Sequence, residues 1–595
     1  MKKFLLNVIS MSALITISAL SLSSCLLTSC EINNVVPEFK DFELYSLTVA
    51  DEQAKEMDEL HVNKANLAFI NNDYYIPYLS IGEYAKMYSN LYKHGYKNTI
   101  QRTFSGFDWG VADSSNRYVF VANFIPGSNS IKVSGSLNGI FTTSIEYSTT
   151  GLNYQTTVNG SYIHQPETNY QTFNYSKTSI RSFKYNGEYY YPLGLYETVF
   201  NDSLSSHIYF NYKALYEYRD QEMLSQPLLK QEKEKSVFDE MSEVINGAKM
   251  PTQLAKYNRD LLYMYFDETY GLKRYKKINN MYDYFNNLKV SDNLLSADGQ
   301  ERGYSYKNLL ASFDDNHTGI IYGGSTAWDE YSKTNYGGEN CVNRSKLTRE
   351  LKTLRDEHLE EVNKEITEVE YSESGETAMF TFDSFSFADE KYFYSNKDTK
   401  EISPDAYEYD TYLLFKKRLS EIENKGGVKN VVLDISTNGG GVIGVMWKLL
   451  ATISPNNYFE AYNYSQITNS VIKYEGSVDI NGNDIFEENE TYGSKFKFYI
   501  LGSDSSYSSA NAFAFLAQKL KYATIIGSKT GGGECSVNQL LLPNGQRLCS
   551  SSTTHLGFYD SYLDEFIGDE DGAKSEIDIP KEFYYNIEYI EDAIK

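Results

Sequence analysis

The sequence predicts an α/β core in its C-terminal half, preceded by a helical region and an N-terminal β-rich α+β domain. Two observations carry this. From about residue 375 onward, short apolar runs alternate with stretches of helical period, which is the pattern of strands joined by helical crossovers and implies a sheet that is at least partly parallel. Upstream, a motif made of a polar turn, an aromatic strand and a proline occurs twice, on either side of a tract rich in Ser, Thr, Tyr, Asn and Gly.

In the C-terminal half, Thr377–Phe382 reads as a strand and Ala406–Asn424 as a helix. Val428–Ile435 reads as a buried strand and Val442–Ile453 as a helix. Phe496–Leu501 is a strand, Ala510–Leu520 a helix, and Ala523–Ile526 a further strand. From about 205 to 312 the pattern is helical, with Leu261, Leu262, Met264, Tyr265 and Phe266 in an amphipathic stretch that follows a charged segment, Lys230–Lys235. In the N-terminal part, Ile70-Asn71-Asn72-Asp73-Tyr74-Tyr75-Ile76-Pro77 matches Tyr185-Asn186-Gly187-Glu188-Tyr189-Tyr190-Tyr191-Pro192. Each copy reads as a tight turn, a short strand and a helix start. Between them, Tyr118–Ala122 alternates as a strand does. The repeated motif resembles the small N-terminal domain of copper amine oxidases, a module found without catalytic function in bacterial surface proteins; no cluster of histidines accompanies it, so no copper chemistry is implied.

Composition narrows the function. The chain has 595 residues and 41% hydrophobic content, enough to bury several cores. Its formal net charge of −25 repels phosphate backbones, which argues against nucleic-acid binding. The 54 tyrosines and 32 phenylalanines read as compositional bias rather than as a binding surface. The N-terminus carries Lys2 and Lys3, an uncharged stretch from Phe4 to Leu22, and then Leu22-Ser23-Ser24-Cys25, which reads as a secretory leader. This tract resembles a bacterial lipobox, which implies lipidation at Cys25 and a lipid-anchored protein on the extracellular face of the cell membrane. Leu27-Thr28-Ser29-Cys30 is a second match, and Cys25 is preferred because it lies directly against the apolar run. Beyond the leader only Cys341, Cys535 and Cys549 remain, and Cys535 and Cys549 are either a disulfide or two buried thiols. No Cys/His spacing suggests a metal, and no cofactor is expected.

Two segments carry the chemistry. Val431-Val432-Leu433-Asp434-Ile435-Ser436-Thr437-Asn438-Gly439-Gly440-Gly441 is a buried strand running into a glycine turn before a helix. Such a turn leaves backbone N–H groups pointing into open space, suited to a phosphate or an oxyanion, and the absence of Gly-Lys-Ser/Thr rules out a Walker loop. The second segment, Gly502-Ser503-Asp504-Ser505-Ser506-Tyr507-Ser508-Ser509-Ala510-Asn511, joins a strand to a helix with Phe513, Leu516, Ala517 and Leu520 on one face. A serine at such a junction is a helix cap or an exposed nucleophile.

Together these segments resemble peptidase family S41, the C-terminal-processing or tail-specific proteases. Asp434 to Gly441 is similar to the family's Asp-Leu-Arg-x-Asn-x-Gly-Gly, Tyr507–Asn511 to its nucleophile motif, and Ile525–Gly533 to its Gly-Glu-Lys/Arg-Thr segment. The sequence departs at Ser436, where the family often has Arg, and at Asn511, where it often has Glu. The resemblance implies a ClpP/crotonase-like α/β catalytic core, a serine-type peptidase activity on a peptide or protein substrate, and Ser508 as the nucleophile. At the spacing where one branch carries a Lys base stands Gly533, and Lys529 matches an ordinary motif position. Asp314-Asp315-Asn316-His317-Thr318-Gly319 is instead similar to the His motif of the branch that includes the tricorn core, which implies His317 as the general base, with His555 in reserve. The orienting acid is expected in the acidic run before Ile577-Asp578-Ile579, at Glu570, with Glu565 behind it. The oxyanion hole is expected from the N–H groups of Gly440 or Gly441 and of Ser509. No Gly-Leu-Gly-Phe-like carboxylate-binding loop lies between Thr318 and Thr377, so recognition of free C-termini is not carried over.

The expected organisation is a signal peptide at 1–24, a tether at 25–60, an α+β module with a β-rich insertion at 61–204, a helical region carrying the His motif at 205–320, and the peptidase-like core at 321–595. The function expected is a surface-anchored serine endopeptidase working through an acyl-enzyme. The alternative is a catalytically inactive lipoprotein of the same fold that binds peptides or host proteins.

Overall fold

The computed structural model describes residues 31–595 apart from 33–34, 47–63, 72, 88–96, 113–115, 117, 136–155, 168–169, 205, 220–249, 323–337, 388–393, 397–400, 404–405, 482–484 and 488–489. The leader, with Cys25 and Cys30, and the charged segment Lys230–Lys235 lie outside the described residues.

The site is built on a six-stranded sheet. Thr377–Thr381, Asn430–Asp434, Lys497–Gly502, Ala523–Gly527 and Ile577–Asp578 lie side by side, every adjacent pair parallel, and Glu370–Tyr371 closes one edge antiparallel. The sequence reason is visible in the alternation of side chains. Phe380, Leu433, Ile500 and Ile525 pack on one face against Phe415, Leu449 and Phe513 of the helices Thr411–Lys425, Ile443–Thr452 and Ser509–Lys519. Met379, Val432, Leu501 and Ile526 pack on the other face against Leu351 of Glu339–Val362 and Ile590 of Ile587–Ile594. Both faces are covered, which is why the strands read as continuous apolar runs. The expected helix over 406–424 is two helices, Ala406–Tyr409 and Thr411–Lys425, because Asp410 between them caps the second by accepting from the Leu413 N–H at 3.0 Å.

A second, antiparallel sheet stands beside the first. Its order is Gly319–Tyr322, Arg547–Asp560, Phe459–Ser465, Ser470–Val478 and Thr156–His164, with Cys535–Leu541 and Glu565–Gly568 also pairing to Arg547–Asp560. Two of its strands come from far upstream. Gly319 pairs with Cys549 and fixes the segment that follows His317, while Thr156–His164 from the β-rich insertion pairs along Ser470–Val478. Cys535 pairs with His555 and Cys549 with Gln539 in this sheet, and no disulfide joins the two cysteines.

The upstream region holds an eight-stranded sheet and a five-stranded antiparallel sheet. Both copies of the repeated motif form a hairpin followed by a helix, with Asn71 and Asn186 in the left-handed region that a tight turn needs. The two copies pair directly, Tyr190 with Ser80 and Pro192 with Tyr78. Two expectations are corrected here. Within the stretch expected to be a tether, Glu38–Ser46 is a strand paired to Lys64–Ile70, and Phe42 and Leu44, two residues apart on its inward face, explain why it can enter a sheet. Within the stretch expected to be helical, Ser206–Phe210 and Leu215–Arg219 form a hairpin that joins the same sheet beside Glu38–Ser46, and the next described helix is Thr252–Thr269. One apolar core runs through this region, the helices Thr252–Thr269 and Gly299–Phe313, and Leu540 and Leu548 of the second sheet.

Candidate active site

The site lies at the C-terminal ends of the parallel strands, where open α/β sheets present their loops. Asn430–Asp434 leads into the glycine turn, and Lys497–Gly502 leads into the serine-rich loop. Asp434 is buried and accepts from the Thr381 hydroxyl at 2.7 Å and the Ser436 N–H at 2.9 Å, which holds the strand end closed. Ser436 is buried beside the Tyr585 hydroxyl at 3.1 Å. The guanidinium near this turn comes instead from Arg355 of Glu339–Val362, which pairs bidentately with Asp383 at 2.8 and 2.9 Å and donates to the Thr437 hydroxyl at 3.0 Å.

Five serines occur in the loop and helix start, and their bonding separates them. The Ser503 hydroxyl donates to Ser436 O at 2.5 Å, and that of Ser506 to Ile435 O at 2.7 Å. The Ser505 hydroxyl receives a hydrogen bond from that of Thr348 at 2.8 Å, and the Ser509 hydroxyl donates to Gly441 O at 2.8 Å. Each of these hydroxyls stitches loops together. Ser508 differs: it is partly exposed, and its side chain makes no capping bond to the helix it precedes. Its backbone sits at φ 57° and ψ −125°, a strained conformation for a residue with a Cβ. The bonds that hold it there are its N–H to Gly532 O and Ala512 N–H to its own carbonyl, each 2.9 Å. A strained turn that holds a serine at a strand-to-helix junction with its hydroxyl uncommitted is the geometry a nucleophile requires.

Gly440 lies against this serine. A Cβ placed on Gly440, at φ +104°, would sit 2.8 Å from the Ser508 Cβ and 3.0 Å from the Ser509 N, so only glycine fits. The same closeness corrects the oxyanion-hole expectation. The Gly440 N–H donates to the Asn438 Oδ1 at 2.8 Å and is spent inside its own turn. No hydrogen bond among the described residues occupies the N–H of Gly441 or of Ser509. Those two remain as donors, one from each loop.

His317 is buried in the turn before Gly319–Tyr322. Its backbone N–H donates to Asp315 Oδ1 at 3.0 Å, and Thr318 Oγ1 donates to Asp315 Oδ2 at 2.6 Å. Its ring meets that of Tyr507, the residue before Ser508, with centroids 4.8 Å apart. Burial holds its pKa below the ordinary histidine value, Asp315 opposes that, and the Arg344 cation adds to it, so the imidazole is held neutral, as a base must be.

The expected acid is not where it was placed. His317 Nδ1 has no hydrogen-bond partner among the described residues. Glu570 Oε2 accepts from the Glu534 N–H at 3.1 Å, and burial with the neighbouring charges of Asp315 and Glu534 pushes the Glu570 carboxyl up to about 8. A carboxyl so raised is largely protonated at neutral pH, the opposite of what an orienting carboxylate needs. Glu565 lies on an exposed edge strand. His555, the reserve base, lies within a strand with its Nδ1 2.6 Å from Glu534 Oε1 and its Nε2 buried without a partner. Lys529 is exposed. Asn511 is buried and structural: its Nδ2 donates to Asp569 O at 3.2 Å and its Oδ1 accepts from the Thr530 hydroxyl at 2.6 Å. The sequence reading gave no role to Asp315, Tyr507, Arg344 or Glu534. Asp315 and Tyr507 adjoin the motif residues and were within reach of it, whereas Arg344 lies in a long charged helix with no distinguishing pattern.

Residues 399–556 match the family model of Peptidase family S41. That segment is a Peptidase family S41 domain. Ser508 and the two candidate oxyanion donors, Gly441 and Ser509, fall inside the matched segment, and His317 and Glu570 fall outside it. Among solved structures, a Parabacteroides merdae protein named as a candidate peptidase is 17% identical, with 57% of this chain and 97% of that one covered and a TM-score of 0.39. A lipoprotein from Streptococcus agalactiae is 14% identical, over 57% and 96% of the two chains, with a TM-score of 0.33. The photosystem II D1 C-terminal processing protease is 14% identical, over 36% and 45%, with a TM-score of 0.26. No curated protein matches the sequence. Among the described residues, no group of three or more His, Cys, Asp or Glu is placed to hold a metal ion, and no helix is long and apolar enough to cross a membrane.

Proposed function

We propose that this S41 peptidase is a surface-anchored serine endopeptidase that cleaves peptide bonds through an acyl-enzyme on Ser508, with His317 as base. The observation that carries the reading is the uncommitted Ser508 hydroxyl, held in a strained turn against Gly440, with His317 in ring contact with the adjacent Tyr507. The Ser508 Oγ attacks the substrate carbonyl carbon while its proton passes to the neutral imidazole. The resulting oxyanion is received by the N–H groups of Gly441 and Ser509. Collapse breaks the C–N bond, and the amine leaves with the proton that His317 held. Water, deprotonated by the same imidazole, then releases the acid product and restores the serine.

Two experiments test this. A fluorophosphonate probe should label the folded wild type at Ser508, and Ser508→Ala should abolish labelling and proteolysis with the melting temperature nearly unchanged, since one exposed hydroxyl contributes little stability. Label found on Ser505, Ser506 or Ser509 would refute the assignment. The anchor is read from the Leu-Ser-Ser-Cys tract: palmitate should label the wild type and miss Cys25→Ala, and loss only with Cys30→Ala would move the site. The partnerless Nδ1 of His317 favours the second reading, a lipoprotein of this fold that binds peptides without cleaving them, and a folded protein that takes no label would select it.

A further inference from the structure

Among the described residues no carboxylate bonds the His317 ring, whose Nδ1 has no partner there. An imidazole free to turn about its side-chain bonds would present its Nε2 to Ser508 only part of the time, and a displacement of about 1 Å at such a group costs about a hundredfold in rate. The group in contact with the ring is Tyr507, at 4.8 Å between centroids and 60° between planes.

Tyr507 is itself held from four sides. Its N–H donates to Asn438 O at 3.1 Å, and its hydroxyl reaches Asp315 Oδ1 at 3.4 Å. The backbone of Gly533, at φ +84°, passes so close that a Cβ there would lie 2.4 Å from the ring. The Arg344 guanidinium stands 4.5 Å from the ring centroid. Arg344 is clamped in turn, Nε donating to Asp504 O at 2.6 Å and Nη2 to Gly531 O at 2.8 Å, so it ties the nucleophile loop to the loop carrying Gly531–Gly533. The planar fork of arginine suits two carbonyls and an aromatic ring at once, which a lysine cannot match.

We propose that Tyr507 and Arg344 are positioning residues for the base: Arg344 fixes the Tyr507 ring, and that ring holds the His317 imidazole in register with Ser508. The proposal rests on the reading of Ser508 and His317 as nucleophile and base, and it assigns the orienting role to an aromatic face. The charged and titratable groups facing His317 are Asp315 from its own turn, Arg344 from the long helix and Tyr507 from the nucleophile loop, while Tyr507 is also faced by Glu570 and Cys341.

The test uses the full chain and the variants Tyr507→Phe, Tyr507→Leu, Arg344→Lys and Arg344→Met. Two quantities are measured: the rate of fluorophosphonate labelling against pH, and the titration of the His317 ring proton by NMR. Tyr507→Leu should slow labelling about a hundredfold. Tyr507→Phe should restore it to within about threefold of wild type, because a hydroxyl contact of 3.4 Å is weak. Arg344→Met should slow labelling and raise the His317 titration midpoint, and Arg344→Lys should recover the midpoint but not the rate. Labelling of Tyr507→Leu at the wild-type rate, or of Tyr507→Phe as slowly as Tyr507→Leu, would overturn the proposal. If wild type takes no label, the peptidase reading fails separately, and the NMR arm still decides: a His317 resonance unmoved by Tyr507→Leu refutes the positioning role, and a shifted one supports it. Should Tyr507→Leu fail to fold, unchanged rate and midpoint in Arg344→Met refute it.

Discussion

Two buried imidazoles in this protein stand near carboxylates, and they are wired differently. His555 lies within a strand, its Nδ1 2.6 Å from Glu534 Oε1, so a carboxylate orients its ring. His317 lies in a turn, uses only its backbone N–H toward Asp315, leaves Nδ1 without a partner among the described residues, and meets Tyr507 beside Ser508. Judged by the carboxylate, His555 has the better credentials. Judged by what adjoins the uncommitted serine, His317 does. A hydrogen-bonded pair at the start of a strand ties that strand to its neighbour, whereas a base must stand within reach of the proton it takes.

The comparison breaks most readily at turnover. His317→Ala should lower the rate of Ser508 labelling by about four orders of magnitude or more, as removal of a base from such a unit does. His555→Ala should leave the rate per folded molecule within about threefold, because a change remote from the reacting groups touches stability rather than the barrier. The reverse pattern would exchange the two assignments. Stability should then separate them in the opposite sense. His555→Ala removes the hydrogen-bond partner of the half-buried Glu534 carboxylate and should cost about 1–2 kcal/mol in denaturant unfolding. His317→Ala should cost less, since no hydrogen-bond partner of its Nδ1 is lost.

A smaller effect lies in the carboxyls around these rings. Glu570 is raised from 4.5 to about 8, chiefly by burial and then by Asp315 and Glu534. A group whose folded pKa lies above its unfolded value adds stability that is full below the unfolded value and is lost as pH rises through the folded one. The melting temperature should therefore fall between about pH 4.5 and pH 8, and Glu570→Gln should flatten that fall. For His317 the sign is opposite: its folded pKa is lowered, so the acid limb of labelling should lie below the ordinary histidine range of about 6.5. A limb above that range would mean that burial does not dominate at His317. The smallest effect is at Lys529, an exposed residue whose change to Ala should alter labelling by less than about twofold.

The parallel sheet and its helices were legible because burial on both faces writes long apolar runs into the sequence, and the boundaries of Asn430–Asp434 and Ser509–Lys519 fall within two residues of those expected. The junction that holds Ser508 was legible for a local reason, its place between a strand and an amphipathic helix. The strands Glu38–Ser46, Ser206–Phe210 and Leu215–Arg219 were not, because their sheet partners are remote or lie across a hairpin of mixed composition, and short alternation in a polar stretch looks like linker or helix.

By itself the sequence determined where the candidate turns lie: the glycine run after Asp434, the serine loop after Gly502 and the His317 turn. Each is specified by residue types whose backbone freedom or chemistry acts within a few positions. Only the tertiary structure decided how those groups are used. The Gly440 N–H is consumed by Asn438, Glu570 turns to the Glu534 backbone, and Arg344 crosses from a distant helix to the Tyr507 ring. Hydrogen bonds and ring contacts of this kind depend on ångström distances between segments far apart in the chain, and residue types alone do not encode them.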